Sequence, residues 1–323
     1  MIRSDPRCFP LVGLSREDIS RMLRPVVGRA ELREVSCVGG GLVNTIYRIS
    51  TGEPGEVYGL RVYAKDGPAM ETERRLLRNL VKTLPVPKVL FADAGGEHCA
   101  YPYLVYEWLE GITLNECRRE NSREDFLTLA EPLGRLLAQI ASAAFTRDCI
   151  SGTMRAATLL ERAEGQLRMG LARERLGDAL ADELRDCLSN SASVLRALDE
   201  SSGLVHGDFG GRNILVRTRV GGVWEISGVI DWEEAAEGSP LWDVGSLFRY
   251  HRRYSEEFRT LFAEGYYAAG GRLPADWCMV ARTIDSVRLV SILSEERELP
   301  GVFVECIELI QSIVAGLSSA PTG

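Results

Sequence analysis

Asp208 and Asn213 stand five residues apart in the stretch LVHGDFGGRNILV (204–216), and Asp231 closes the apolar run SGVI 18 residues after Asn213. These types at this spacing suit one chemistry. A carboxylate can orient a hydroxyl and take its proton. An amide oxygen and a second carboxylate are hard donors that suit Mg²⁺, which would neutralise phosphate oxygens. The same stretch also spells D-F-G at 208–210, in which Asp208 would itself be the metal ligand. That reading needs an Asp–Asn pair upstream. The segment LRDCLSN offers Asp186 and Asn190, four apart rather than five. They lie in a run where Leu180, Leu184, Leu188, Leu195 and Leu198 recur near helical spacing, which is a packing face. Asp208 is therefore read as the base, Asn213 and Asp231 as the metal pair, and Phe209 as a loop residue.

Phosphoryl transfer from a nucleotide also needs a cation on the phosphates and a carboxylate to hold that cation. Arg61 in the strand pattern YGLRVY is the candidate cation, with Lys65 a weaker one beyond the strand end. Arg reaches phosphate through a planar fork and is not a simple stand-in for Lys. The carboxylate can be chosen by helix geometry. Glu73 falls on the face of Leu76, Leu77, Leu80 and Leu84, whereas Glu71 groups with Arg74, Arg75 and Arg78. A glutamate on an inward face needs a cation, and Arg61 is on the neighbouring strand. The stretch VGGGLVNT does not match G-x-G-x-x-G, but Gly39, Gly40 and Gly41 permit a tight turn whose N–H groups approach phosphate, with Asn44 beside them.

These residues need elements to position them. LSREDISRMLRPVV (14–27) reads as a helix capped by Ser15, followed by a strand, a glycine turn and a strand. VYGLRVYA is a further strand and 67–84 a helix closed by the prolines of PVPKVL, before a hairpin turning at Gly95-Gly96. After Gly111 the segments 122–145, 154–176, 178–200 and 240–317 all read as helical, with brief strands at NILVRT and WEISGVIDW. The strands NILV and SGVI form a hairpin that carries Asn213 and Asp231 to one edge. The expected fold is α+β and bilobal. A nucleotide-binding lobe (1–107), a small antiparallel sheet with one helix, precedes a larger helical lobe (108–323) with the catalytic loop and acceptor site.

Composition narrows the partners. The chain of 323 residues has a net charge of −8, which argues against nucleic acid as the main partner. None of its eight cysteines forms a C-x-x-C pair and only three histidines exist, so no Cys/His zinc spacing can be built. The N-terminus lacks a signal-like apolar region, and no run is expected to approach membrane-spanning length. The expectation is a cytoplasmic protein with no membrane partner.

The stretches GGGLVNTIYRI, LRVY, TERRLLRNL, PVPKVL, YEWLEG, HGDFGGRNILV and IDWEEAAEGSPLWDVGSL resemble the aminoglycoside phosphotransferase and choline kinase-like superfamily. They run from about residue 38 to 248. Like members of that superfamily, the chain lacks the A-P-E segment of protein kinases. The resemblance implies Asp208 as catalytic base, Asn213 and Asp231 as Mg²⁺ ligands, and ATP or GTP as donor. It implies that Asp243, in PLWDVG, braces the catalytic loop, that His206 is structural, and that Glu107 and Leu109 meet adenine. Glu233 is read as solvated rather than at a second metal. The acceptor is a hydroxyl of a small molecule, an aminoglycoside-type antibiotic being the leading class. Glu234, Glu237, Glu295 and Glu296 are the candidate carboxylates for such a polycation. Other readings are a metabolite kinase for an amino alcohol, amino acid or sugar, and a nucleotide-binding scaffold without catalysis.

Overall fold

The computed structural model describes residues 10–38, 43–52, 56–64 and 67–318. Gly39, Gly40, Gly41 and Lys65 therefore lie outside the described residues. Helix α1 (Arg16–Val27) starts at Ser15, whose hydroxyl accepts from the Asp18 N–H in a capping box. Five strands follow: β1 (Leu32–Val38), β2 (Thr45–Thr51), β3 (Val57–Val62), β4 (Val89–Asp93) and β5 (Tyr103–Glu107). They pair antiparallel in the order β1-β2-β3-β5-β4, with α2 (Gly67–Leu80) inserted between β3 and β4. The first lobe thus carries two helices where the expected fold class had one.

Strand alternation sorts the residues of β3 between two faces. Leu60 and Val62 join Ile19, Met22 and Leu23 of α1 in one buried cluster. Arg61 therefore points the other way, as does Tyr63, which packs with Met70 of α2. Helix α2 has a second allegiance. Its Leu76, Leu77 and Leu80 are buried in the same cluster as the core of the helical lobe.

That larger lobe contains β6 (Ile112–Thr113), α3 (Leu114–Glu120), α4 (Arg123–Leu127), α5 (Ala130–Ser142), β7 (Thr153–Met154), α6 (Ala156–Arg168), α7 (Leu171–Leu176), α8 (Asp178–Asn190) and α9 (Ala192–Ala197). It continues through β8 (Gly203–Val205), β9 (Ile214–Thr218), β10 (Trp224–Val229), β11 (Ala236–Gly238), α10 (Leu241–Phe248), α11 (Glu256–Ala268), α12 (Trp277–Leu293) and α13 (Pro300–Ser318). Helices α5 and α11 cross closely. A Cβ on Gly134 would lie 2.0 Å from the Phe262 carbonyl oxygen, and one on Gly265 would lie 2.1 Å from that of Glu131. The Asp186 and Asn190 pair sits within α8, as the leucine spacing requires.

Two expectations about composition meet the structure. The seven described cysteines are all free thiols. The expectation that no run approaches membrane-spanning length is corrected: Pro300–Leu317, with mean hydropathy 1.5, is long and apolar enough to cross a membrane by length and composition. Its apolarity has a packing use here, because Phe303, Cys306, Ile310, Ile313 and Val314 are buried in the core of the helical lobe.

Candidate active site

The β9–β10 hairpin is antiparallel, with Ile214 opposite Val229. Its open end carries the site. Asn213 immediately precedes β9, and its carbonyl oxygen accepts from the Ile230 N–H at 2.9 Å. That bond places Asn213 beside the residue before Asp231. The Asn213 Nδ2 donates to both the carbonyl oxygen and the carboxylate of Asp208, each at 2.9 Å. Its Oδ1 is left as an acceptor. Asp231 has φ 69°, the one positive φ of a non-glycine residue among those described. Aspartate tolerates this left-handed conformation better than most residues.

The loop between β8 and β9 is braced from the helical lobe. Asp243, fully buried on α10, accepts from the N–H groups of His206 at 2.7 Å and Gly207 at 3.0 Å. Burial pushes the Asp243 carboxyl up, against the two backbone donors. His206 is bonded at both ring nitrogens. Nδ1 accepts from the Asp208 N–H at 3.2 Å, so Nε2, 2.9 Å from the Ile230 carbonyl oxygen, carries the proton. Gly207 at φ 84° allows the loop to press on the Glu234 backbone, where a Cβ would meet the carbonyl oxygen at 2.4 Å. Phe209 is fully buried beneath the loop.

Arg61 gathers three carboxylates from both lobes. Its Nη2 lies 2.6 Å from Asp231 Oδ1 and 3.0 Å from Glu233 Oε2, and its Nε lies 3.5 Å from Glu73 Oε2. Arg61 is 5% exposed and Glu73 3% exposed. The face chosen for Glu73 is the face that turns inward, while Glu71 pairs with Arg74 and Arg75 on the outside. Glu233 differs from its expected solvation. It accepts from Asn44 Nδ2 at 2.6 Å as well as from Arg61. A local sequence reading has no access to this contact, since the partners are 189 residues apart.

The electrostatics follow from this crowding. Burial disfavours the charged form of Asp231, but the Arg61 guanidinium outweighs it and holds the carboxyl below its ordinary value. Glu233 is pushed up by burial, with Asp231 and Glu73 adding to the shift and Arg61 opposing it. Tyr63 was missed by the sequence reading. Its hydroxyl donates to Glu73 Oε2, and its position two residues after Arg61 on the same strand face was the available signal.

The donor set at this edge fits Mg²⁺. It offers hard oxygen donors, Asn213 Oδ1 and the carboxylate of Asp231. Among the described residues no group of three or more His, Cys, Asp or Glu could hold a metal alone. Mg²⁺ commonly takes only one or two protein carboxylates and completes its shell with phosphate and water.

The remaining candidates are scattered. The Glu107 N–H already donates to the Lys88 carbonyl oxygen at 3.0 Å, and the Glu107 side chain pairs with Lys88 on the surface. Leu109 lies against Gly228 of β10. Glu234 is exposed, with its backbone against Gly207 of the loop that carries Asp208. Glu237 on β11 accepts from the Ser202 hydroxyl. Glu295 and Glu296 lie between α12 and α13, where Arg175 donates to the Glu295 carbonyl oxygen. No described contact joins Glu237, Glu295 or Glu296 to Asp208.

The architecture, a small antiparallel sheet joined to a helical lobe that carries a loop-and-hairpin site, is that of the bilobal kinase-like fold. Residues 34–278 match the phosphotransferase enzyme family, and the chain belongs to that family. Viomycin phosphotransferase from Streptomyces vinaceus is 32% identical over 153 residues, 45% of this chain and 49% of that protein. The match thus spans about half the length of that relative. Among solved structures, a thermostable mutant of aminoglycoside phosphotransferase APH(4)-Ia, in ternary complex with AMP-PNP and hygromycin B, superimposes with TM-score 0.67 at 20% identity. The superposition covers 94% of this chain and 99% of that one. Choline kinase LicA from Streptococcus pneumoniae gives TM-score 0.63 at 18% identity, over 93% and 98% of the two chains. At these identities the likeness is one of fold.

Proposed function

We propose that the protein transfers the terminal phosphoryl group of ATP or GTP to a hydroxyl of a small molecule, with Mg²⁺ required. The observation that carries this reading is Asn213, whose side-chain nitrogen holds the Asp208 carboxylate while its backbone is bonded to Ile230, the residue before Asp231. In this reading the lobe of residues 1–107 holds the nucleotide, and the lobe of 108–323 holds the acceptor.

Asp208 orients the attacking hydroxyl and accepts its proton as the O–P bond forms. Asn213 keeps that carboxylate in place through Nδ2. Asn213 Oδ1 and Asp231 would hold Mg²⁺, which would neutralise phosphate charge. Arg61 turns part of its fork from Asp231 and Glu233 to the phosphates, while Glu73 retains its Nε side. Asn44, just before β2, approaches the same phosphates. His206 and Asp243 hold the loop and move no proton.

The likeness to viomycin phosphotransferase and to an aminoglycoside phosphotransferase supports an antibiotic as acceptor. A metabolite acceptor is the second reading, favoured by unpaired arginines near the loop. The test is ADP release by the purified protein with Mg²⁺ and ATP or GTP, across aminoglycosides, macrolides, choline, homoserine and sugars. Stimulation by one class that disappears in Asp208→Ala is the expected result. If nucleotide binds and every other function of the protein survives Asp208→Ala, the scaffold reading replaces this one.

A further inference from the structure

The chain is acidic overall, yet three arginines around the loop that carries Asp208 have no ion pair among the described residues. Asn115 at the start of α3 donates its N–H to the Gly211 carbonyl oxygen at 3.0 Å, which ties α3 to that loop. Arg212 follows Gly211, is exposed, and has no ion pair among the described residues. Arg118 lies one turn along α3, and its buried Nε has no hydrogen-bond partner. Arg253 stacks 3.9 Å over the Tyr250 ring. Burial lowers the Arg118 pKa, and Arg253 and Arg119 lower it further. Arg212 stands between Gly211, which α3 grips, and Asn213, so it borders the proposed reacting centre.

Some carboxylates on this side are spoken for. Asp285 is held by both Nε and Nη2 of Arg249, at 2.9 and 2.8 Å. Glu305 accepts from the Tyr250 hydroxyl at 2.6 Å. Asp208 is held by Asn213, while Glu234 next to the loop, Glu120 on α3 and Glu256 on α11 are exposed with no ion pair among the described residues. Like charges gathered without counter-ions repel one another, and guanidinium forks match oxyanions.

We propose that Arg118, Arg212 and Arg253 form an anion-recognising rim on the acceptor side, and that the phosphorylated alcohol carries a carboxylate, sulfate or phosphate group. The proposal rests on the phosphotransfer reading for the identity of the acceptor, but not for the existence of the rim. A wholly polycationic acceptor would meet repulsion there.

Two measurements separate these parts. Protein loaded with Mg²⁺ and a non-hydrolysable ATP analogue is titrated calorimetrically with sodium sulfate, against sodium chloride at equal ionic strength. Binding of sulfate by the wild type, its loss in R118E/R253E and its retention in R118K/R253K are expected. Equal sulfate binding in wild type and R118E/R253E, or none in the wild type, overturns the rim. ADP release is then compared for acceptors sharing a hydroxyl and differing only in a carboxylate, its amide or an amine. The carboxylate member is expected to be preferred, and R118E/R253E to raise its KM roughly 10–100-fold with the nucleotide KM unchanged. Preference for the amine, or improved turnover of an aminoglycoside by R118E/R253E, overturns the acceptor assignment. If no acceptor releases ADP, the phosphotransfer reading fails and the sulfate titration alone decides the rim.

Discussion

Arg61 serves three carboxylates with one guanidinium, so the local charge is strongly negative before any cation or nucleotide arrives. Changes at its neighbours should therefore separate binding from turnover. In the proposed reaction Asp208→Asn keeps the shape of the side chain but cannot accept the proton. Its kcat is expected to fall about 10²–10⁴-fold with nucleotide Kd unchanged, measured by ADP release and calorimetry. Asp231→Asn retains a side chain that accepts a left-handed backbone while removing the charge. Mg²⁺-dependent nucleotide binding should weaken there; binding with undiminished Mg²⁺ dependence would remove Asp231 from the metal site. How legible these residues were depended on their distance along the chain. The trio of Asp208, Asn213 and Asp231 could be read because one hairpin spans them. Glu73 could be read because an inward carboxylate on a leucine face demands a cation. Glu233 was misread, since the Asn44 and Arg61 that bury it come from the other lobe. Arg249 and Asp285 could be paired only by noticing a lone carboxylate in the apolar run of α12.

At the level of elements, the pattern of strands and helices was readable, while the close contacts between helices were not. Nothing in AEPLGRLLAQIAS marks Gly134 as the point where α11 arrives. Yet backbone atoms of Phe262 and Tyr266 occupy the place of a Cβ there. Gly134→Ala must push the α5–α11 pair apart, and a loss of roughly 1–3 kcal/mol is expected in urea denaturation. An unchanged midpoint would mean that the two helices can separate at no cost. The effect should appear in stability rather than in nucleotide KM, because this crossing carries none of the proposed nucleotide contacts. The glycine turn between β1 and β2 is the converse case: its residue types were easy to read, but it lies outside the described residues.

For the whole molecule, a net charge of −8 conceals an uneven distribution. His251 sits between α10 and α11 with Arg282, Arg252 and Arg259 around it. Burial first, and then those arginines, lower its pKa to about 4 from 6.5. The unfolded chain therefore takes up a proton below pH 6.5 that the folded one refuses. Stability should be full above pH 6.5 and decline as the pH falls toward 4. His251→Gln should flatten that decline in urea titrations between pH 4 and 7; an identical slope would show that other groups set it. One helix ties the two lobes together. Besides the buried leucines, Arg75 on α2 pairs with Asp148 at 2.8 Å, so α2 is fastened to the helical lobe by its outer face as well. Helix α2 is thus a rivet between the two layers: Met70 is buried with Tyr63 and Leu104 on the sheet side, while its leucines sit in the core of the helical lobe. The Arg61–Glu73 contact, strand to helix, lies on that same seam.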